Sequence, residues 1–440
     1  MSKAHRMQPF ELIRRREIPS RKIGNRSKAE ESKNSFVEGA NGRLKAAEPN
    51  HKPELDGIRG IALIAVMMSH SGPFILNNSL FSKVLVYAMI PGWSGVELFF
   101  VLSGYLITGI LLRSKTAQNY FSSFYMRRVL RIFPIYYMVL TVGFFVASHN
   151  AWWNYLMPHL AETRVAYFFY LQNWPVFWNH GLVQNPNAFG HFWSLAVEEQ
   201  FYVVWPLIIF FLPEKLVLWI CTGGLLMALP FRIFMVHRFA EDFTAMTLTT
   251  SRIDGLLIGA IVAILLRKGP IQLRGIYIAL GLGAAIIGYI ALFHHRELLG
   301  TYFYMPTIGI TGFSLLAGGL LALSQHQIGW LRWILTAKWL RVVGRYSYGM
   351  YIYHIPVFAI CGRVLTAHLH QVSPMPVRFA VPYITCLFCI TFLIAKLSYD
   401  YFESNFLSLK VFFNVRQRPQ PGERAGWAKR VALGDSGAAE

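Results

Sequence analysis

Long apolar runs alternate with short polar segments from about residue 57 to residue 399 of this chain. Runs of about 20 apolar residues are long enough for a helix to cross a bilayer. We predict ten such spans, at about 57–75, 88–112, 128–147, 191–212, 215–233, 252–267, 273–293, 304–323, 340–361 and 379–399. An even number of spans leaves both chain ends on one side. The pattern therefore predicts an all-α polytopic membrane protein with about ten transmembrane helices.

Composition agrees with a membrane protein, and the distribution of charge predicts its orientation in the membrane. Hydrophobic residues make up 54% of the 440 residues and charged residues only 15%, against about 25% charged in soluble domains. The formal charge is +20, but the basic residues flank apolar runs, 13 on one set of loops and 8 on the other. By the positive-inside rule the more basic side, with both termini, is cytoplasmic. Nucleic acid is not an expected partner.

Residues 1–52 have a different character. They hold 13 Lys or Arg and 6 Glu, with almost no apolar periodicity. This composition favours a disordered, basic cytoplasmic arm. The first apolar segment begins only near Ile58, so we expect no cleavable signal peptide and a first span that serves as the membrane anchor.

The stretch 148–190 is aromatic and apolar but is broken by prolines and asparagines. We expect an interfacial or re-entrant element on the outer face that covers a pocket. If this stretch crosses the membrane instead, the count rises to eleven and every later span inverts. The basic C-terminal tail argues against that alternative.

An arginine and a histidine mark the first span. Arg59 and His70 are eleven residues apart, which returns to nearly the same helix face, roughly 20° off, and rises about 16 Å. One helix face thus carries a guanidinium at its rim and an imidazole deep inside. Ionisable groups are costly at that depth and indicate a functional site. The alternative is an Arg that reaches the headgroups and a His bonded to a neighbouring helix.

Other titratable residues fall at the depth of His70. They are Glu97 in the second span, Glu198 and Glu199 in the fourth, and His354 in the ninth. At 1.5 Å per residue these groups lie within a slab roughly 10 Å thick. We predict a shared polar cavity in which a carboxylate orients the His70 ring and raises its basicity, as a general base requires.

A second cluster is predicted at the cytoplasmic side. Arg128 and Arg131 are three residues apart at the start of the third span, on one helix face and close in depth to Arg59. Planar guanidiniums at a membrane mouth suit a phosphate-rich ligand. Lipid headgroups and topology are the alternative explanation. The four cysteines all lie in apolar stretches, which indicates neither a disulfide framework nor a metal site.

Six segments, in this order along the chain, carry a family resemblance. They read ELDGIRGIALIAVMMSH, GVELFFVLSGYLITGILL, FYMRRVLRIFP, FWSLAVEEQFYVVWP, SRIDGLLIGA and YSYGMYIYHIPV. They resemble the motifs of the membrane acyltransferase 3 family, which O-acylates surface polysaccharides, lipopolysaccharide O-antigens, Nod factors and some macrolides. The resemblance covers about residues 53–403 and implies a transmembrane acyltransferase domain there. Residues 404–440 then form a basic cytoplasmic tail, and we expect no esterase-like domain after it.

The resemblance also implies roles for residues. Its essential Arg-x10-His motif matches Arg59 and His70, and its RxxR pair matches Arg128 and Arg131. The family's glutamate is Glu198 or Glu199, and both are candidates for catalysis with His70. Glu97 stands where an Asp is common. Glu97, His354 and two further motif residues, Tyr105 and Trp193, are expected to line the substrate pocket.

The predicted reaction moves an acyl group, probably acetyl, from cytoplasmic acyl-CoA to a hydroxyl of a glycan at the outer face of the bacterial inner membrane. The three arginines are expected to hold the CoA phosphates. A lipid-linked saccharide is an alternative acceptor, and membrane lipids surround the protein. His70 takes the proton of the attacking hydroxyl, or it forms an acyl-histidine, and the two routes stay open. Tyr or Trp donors are expected to steady the oxyanion. A secondary transporter of a small or glycosylated solute is the alternative function, although no internal repeat of broken helices is visible.

Overall fold

The computed structural model describes residues 52–76, 78–149, 160–174, 188–239, 246–294, 303–369 and 374–416. The chain divides into two units, Met1–Lys52 and Pro53–Glu440. The predicted arm and the end of the predicted tail lie almost wholly outside the described residues, so both stay predictions.

The described part of the second unit is built of helices. In chain order they are α1 Pro53–Ser71, α2 Leu80–Met89, α3 Gly95–Ser114, α4 Tyr120–His149, α5 Leu160–Phe168, α6 Trp193–Phe211, α7 Glu214–Phe239, α8 Thr249–Lys268, α9 Leu273–Phe293, α10 Ile310–Ser324, α11 Gly329–Leu335, α12 Lys338–Leu369, α13 Val377–Ser398 and α14 Ser404–Ser408. Short 3-10 or π turns precede α3, α6 and α10.

Eight segments of the described chain are long and apolar enough to cross a membrane. They are Leu80–Ser114, Tyr120–Val146, Gly190–Phe211, Glu214–Arg238, Thr249–Lys268, Leu273–Phe293, Met305–Ser324 and Val377–Phe413. Each coincides with one of the ten predicted spans. The prediction of a helical, multi-pass membrane protein is therefore confirmed.

The two other predicted spans are also helical, but they are more polar. Helix α1 begins with Glu54, Asp56 and Arg59, and α12 contains several tyrosines and His354. These polar residues lower the hydropathy of the two helices below that of the other spans. The total of ten spans and the side of the membrane on which the termini lie stay predictions.

Helices α1 and α12 pack side by side and run parallel. Gly344 of α12 allows the close approach, because a Cβ there would lie 1.9 Å from the carbonyl oxygen of Asp56 in α1. Further along, the rings of Phe74, just beyond α1, and Phe358 of α12 have centroids 5.8 Å apart. Seven of the eight apolar segments separate the two helices along the chain. An odd number of crossings is what a multi-pass chain needs between two parallel helices.

A second parallel pair, α3 and α8, lies at the centre. A Cβ at Gly104 of α3 would lie 1.9 Å from the carbonyl oxygen of Leu256 in α8, so the backbones touch there. In α8 and in the segment that ends with α10, 67% of the apolar window is buried inside the protein, against 17% in α9. Helices α3, α8 and α10 are therefore central, and α9 presents its apolar surface outward, as a lipid-facing helix does.

The stretch 148–190 is only partly described. Its described helix, α5, has nine residues, about 14 Å, which is too short to cross a bilayer. Tyr136 of α4 donates a hydrogen bond from its hydroxyl to the carbonyl of Tyr167 in α5, at 2.8 Å. Residues 150–159 and 175–187 lie outside the described residues, so the predicted cover over a pocket stays a prediction.

Candidate active site

Two histidine rings meet where α1 ends beside α12. His70 lies in the last turn of α1, and His354 lies two residues before Pro356 in α12. Nδ1 of His70 is 3.3 Å from Nε2 of His354, and the ring centroids are 5.1 Å apart. His354 is fully buried, whereas His70 is partly exposed. The structure thus brings together two histidines that the sequence assigned to one depth.

Hydrogen-bond partners assign the protons on the two neutral rings. Nδ1 of His354 is 2.7 Å from the carbonyl oxygen of Tyr351 and must donate to it, so Nε2 of His354 keeps a lone pair. Nδ1 of His70 faces that lone pair and also the carbonyl oxygen of Val66, at 3.0 Å, so it carries a proton. Nε2 of His70 keeps its own lone pair, to which no described residue hydrogen-bonds. A neutral imidazole with a free lone pair can act as a base or as a nucleophile.

A third histidine, His191, which the sequence analysis did not single out, completes this group. It lies in the 3-10 turn Gly190–Phe192, directly before α6. Its Nε2 is 2.9 Å from the same Tyr351 carbonyl oxygen, and its ring centroid is 4.7 Å from that of His354. We call His70, His191 and His354 the histidine cluster. The only sequence feature that could have indicated His191 is its position directly before the FWSLAVEEQFYVVWP motif. A single histidine at a helix end is by itself weak evidence for a functional site.

One backbone carbonyl of α12, that of Tyr351, holds two of these imidazoles. It accepts hydrogen bonds from His191 and His354. The Tyr351 hydroxyl in turn donates to the His191 carbonyl at 3.0 Å. These reciprocal bonds join α12 to the start of α6.

The predicted carboxylate beside His70 is wrong for the described residues, because His354 occupies that position. Glu198 lies seven residues after His191, about 10 Å further along the helix, where its Oε2 accepts from the Tyr202 hydroxyl at 3.2 Å. Tyr202 also bonds to Ser103 of α3. The single predicted slab therefore contains two levels. Residue counts from helix ends could not separate them.

The three predicted arginines do lie together. Arg59 is within electrostatic range of Arg131 and Arg128, and it forms an ion pair with Asp56 at 3.0 Å. Cζ of Arg128 lies 5.5 Å from the centroid of the Tyr202 ring. Arg131 is exposed. We call Arg59, Arg128 and Arg131 the arginine cluster. Grouped guanidiniums can hold a polyanion.

Polar groups connect the arginine cluster to the histidine cluster. Arg128 is within electrostatic range of Glu198 and Glu199, and Glu198 is within range of Tyr351. Tyr351 in turn holds two of the histidines. A chain of polar side chains thus runs between the two clusters through the interior of the membrane domain.

Glu97 belongs to a different cluster. It is fully buried, forms an ion pair with Arg252 of α8 and accepts a hydrogen bond from Ser314 of α10 at 2.6 Å. Two residues further along α8, Asp254 pairs with Arg232 of α7 at 2.9 Å. We call these four residues the ion-pair cluster.

Arg232 is held further by the backbone carbonyls of Ser251 and Thr307, at 2.5 and 3.1 Å, and by the side chain of Thr311. The predicted placement of Glu97 in a cavity shared with His70 is not what the structure has, because Arg252 and Ser314 take both of its oxygens.

The two remaining predicted pocket residues also lie outside the histidine cluster. The Trp193 ring stacks near the guanidinium of Arg252, with Cζ 5.1 Å from the ring centroid. The Tyr105 hydroxyl donates to the side-chain oxygen of Gln325 at 3.5 Å, and Tyr105 lies eight residues beyond Glu97, about 12 Å along α3. Neither makes a contact with His70. Within the described ranges, no group of three or more His, Cys, Asp or Glu side chains could hold a metal ion.

The described interior thus holds an imidazole with a free lone pair at one end of α1 and clustered arginines toward the other end. Comparison with known families agrees. A family model described as an acyltransferase domain matches residues 52–398, and this chain belongs to that family, the acyltransferase 3 family.

Characterised relatives are bacterial. The chain is 31% identical over 369 residues to the peptidoglycan O-acetyltransferase OatA of Listeria monocytogenes, covering 80% of this chain and 55% of that protein. It is 27% identical over 383 residues to the O-acetyltransferase OatA of Staphylococcus aureus, covering 82% of this chain and 58% of that protein. The chain thus spans less than two thirds of the length of these relatives. No solved structure matches it.

Proposed function

We propose that this protein is a membrane O-acetyltransferase that moves an acetyl group from cytoplasmic acetyl-CoA to a hydroxyl of a glycan at the outer face of a bacterial cytoplasmic membrane. The observation that carries the proposal is the imidazole of His70, whose Nδ1 is committed to Val66 and His354 and whose Nε2 is left without a described partner. A lone pair held in this way is positioned for proton or acyl transfer.

The donor enters from the arginine side. Arg59, Arg128 and Arg131 hold the CoA phosphates, because charge-assisted bonds from planar guanidiniums suit phosphate oxygens. The same face of α1 that carries Arg59 carries His70 about 16 Å away. The thioester end of the donor therefore runs along α1 toward the histidine cluster, while its charged end stays at the mouth.

At His70 the acceptor hydroxyl gives its proton to Nε2 as its oxygen attacks the thioester carbonyl carbon. The C–O bond forms, the C–S bond breaks, and the thiolate takes a proton. In the alternative route Nε2 itself attacks the carbonyl and an acyl-histidine then meets the hydroxyl. Both routes need the same nitrogen and the same tautomer. The contacts of His70 support them equally.

A glycan acceptor is proposed from the relatives, of which one is named for peptidoglycan. The parallel packing of α1 and α12 supports a topology in which both helices run from the cytoplasmic arginines toward the outer face, with both termini in the cytoplasm. In that orientation the histidine cluster lies nearer the outer face. A hydroxyl on an exported glycan reaches it without crossing the membrane.

The test uses the native strain with the gene deleted and then restored on a plasmid. Acetate released by mild base from the surface glycan fraction should fall on deletion and return with the wild-type gene. Purified full-length protein should in addition release CoA thiol from acetyl-CoA. Unchanged base-labile acetate in the deletion strain would contradict the proposed function. A signal that disappears from one glycan fraction identifies the acceptor.

A further inference from the structure

We propose that His354 is the proton partner of His70, so that the site uses a histidine pair where a histidine and a carboxylate were expected, and that His191 holds this pair in place. The inference rests on the proposed function, since it concerns how the same base is tuned. It adds a relay role for His354 and a positioning role for His191.

The geometry of the two rings favours proton transfer between them. Nε2 of His354 is 3.3 Å from Nδ1 of His70 and has no proton of its own, because Nδ1 of His354 donates to Tyr351 at 2.7 Å. Its lone pair is thus directed at the one N–H of the catalytic ring. Val66, the other acceptor for that N–H, is a carbonyl at 3.0 Å, which can accept a hydrogen bond but not a proton.

His354 and His191 are both held by the backbone of α12. His354 is fully buried and His191 is 93% buried, with 7% exposed. Both are tied to one carbonyl oxygen, that of Tyr351, at 2.7 and 2.9 Å. The rings of His191 and His354 pack edge to face with centroids 4.7 Å apart. Two anchors on one backbone atom leave the His354 ring little freedom, so its lone pair stays in line with His70.

Electrostatics also favour a histidine as the partner of His70. An ionised carboxylate at this depth would be costly to bury without a cation. A neutral imidazole avoids that cost, because the resting pair carries no charge. When the pair takes up a proton, one positive charge is shared by two rings, which costs less than a charge on one buried ring. A histidine partner is therefore suited to the interior of a membrane domain.

Protons move along the histidine pair during acyl transfer. The acceptor hydroxyl transfers its proton to Nε2 of His70 while its oxygen bonds to the acyl carbon, and the proton on Nδ1 of His70 moves to Nε2 of His354. The C–S bond then breaks. The thiolate receives the proton from Nε2 of His70, and Nδ1 of His70 recovers its proton from His354. No oxidant, metal or further reactant is needed, and both rings return to their starting tautomers.

Two substitutions at His354 separate relay from anchoring. His354→Gln places a carbonyl oxygen near the position of Nε2, so it keeps an acceptor for His70 but loses the bond to Tyr351. His354→Asn places an amide N–H near the position of Nδ1, so it keeps the anchor but loses the acceptor. If His354 serves only through its hydrogen bond to the Tyr351 carbonyl within α12, Asn should be the better replacement. If it serves His70, Gln should be better.

We expect acetylation of the surface glycan to fall about tenfold in His354→Gln and about a hundredfold in His354→Asn, within the range of a weakened general base. The activities of the two variants should be compared at equal protein levels and equal thermal unfolding midpoints in detergent. Equal activity of the two variants, or a more active Asn variant, would overturn the relay. At His191, Nε2 donates to the Tyr351 carbonyl. His191→Gln should therefore retain more acetylation activity than His191→Asn, because only Gln keeps this hydrogen bond.

A measurement on the wild-type protein covers the case in which the His354 variants do not fold. The rate of CoA thiol release by the purified full chain is followed in mixtures of H2O and D2O. Two protons in motion give a curved dependence on the deuterium fraction, and one proton gives a straight line, which would overturn the relay. His70→Gln keeps the two proposals apart: an inactive His70→Gln with a straight line removes only the relay, whereas an active His70→Gln removes the role of His70. The acetyltransferase function itself is removed only by unchanged base-labile acetate in the deletion strain.

Discussion

Two buried polar groups in this membrane domain invite comparison, the histidine cluster and the ion-pair cluster. Both contain fully buried titratable side chains on several helices. In the ion-pair cluster the carboxylates of Glu97 and Asp254 are each matched with a guanidinium and a hydroxyl. In the histidine cluster the rings are neutral in the assigned tautomers, and Nε2 of His70 is left over.

The difference separates architecture from chemistry. Burial and charge are the same signal in both places when only the sequence is read, since both fall on helices at membrane depth. Carboxylates that are each held by a guanidinium and a hydroxyl stabilise the packing of four helices, and their charge is already matched. A group with one directed lone pair left over can react. The contacts, and not the residue types, therefore decide which cluster is the site.

The largest expected effect comes from removing that lone pair. His70→Gln keeps size and some hydrogen bonding but cannot accept a proton at neutral pH, so glycan acetylation should fall by about 10² to 10⁴. Protein level and insertion should be unchanged. His149→Gln is the matched control, because His149 also ends a helix with Nδ1 2.8 Å from the carbonyl four residues earlier but is exposed. Near-normal acetylation by the His70 variant would remove the distinction between the two clusters.

The ion-pair cluster should respond in stability instead. Glu97→Gln leaves Arg252 buried without its counter-charge, and breaking a buried pair costs about 3–5 kcal/mol. We expect a clear drop in the thermal unfolding midpoint in detergent, with the double variant Glu97→Gln, Arg252→Gln less destabilised than the sum of the singles.

The matched control for the ion pair is the partly exposed pair of Glu214 and Arg267, 3.6 Å apart. Glu214→Gln should cost less than about 1 kcal/mol. If Glu97→Gln left stability unchanged and abolished only acyl transfer, Glu97 would belong with the histidines after all.

A smaller effect, on donor affinity, is expected at the arginine cluster. Arg128→Ala should raise the acetyl-CoA concentration needed for half-maximal activity about tenfold or more, as expected for lost bonds to a charged group. Arg128→Lys should recover only part of the lost affinity for acetyl-CoA, since the single ammonium group of lysine cannot make the two parallel hydrogen bonds of a guanidinium. Arg127→Ala is the control, because Arg127 bonds to the Asn414 side chain at 2.9 Å and carries the same charge at the same rim. If Arg128→Ala and Arg127→Ala had equal effects, the arginine cluster would serve only membrane orientation and not donor binding.

The smallest effect is expected outside both clusters. Deletion of residues 1–52 should leave acyl transfer largely intact, since this segment has no core-forming pattern and the family match begins at residue 52. Base-labile acetate from cells that carry the truncated protein is the measurement, with membrane insertion checked by fractionation. Loss of activity in a correctly inserted truncation would show that the arm takes part in the reaction.

Much of the architecture could be predicted from the pattern of apolar runs. Eight predicted spans coincide with apolar helices, and the spans carrying His70 and His354 are helices as well. The reason is that a bilayer requires each crossing segment to satisfy its own backbone hydrogen bonds and to be about 20 residues long. Length and hydropathy are local properties of the chain, so the sequence alone determines them.

The contacts of the site depended on tertiary structure. The sequence placed His70, His354, Glu97, Glu198 and Glu199 at one depth, but it could not say which side chains face one another. That is decided by the rotation and height of each helix, which follow from contacts between distant residues, such as the approach of Gly344 to the backbone of Asp56.

His191 shows the same limit from the other side. By itself it is one histidine before a helix, and only the fold brings its Nε2 to the Tyr351 carbonyl, 160 positions away in the chain. The sequence determined which groups lie within the membrane spans, because the position of a span follows from hydropathy. The tertiary structure decided which groups are paired and which lone pair is left, because hydrogen bonds act only over a few ångströms.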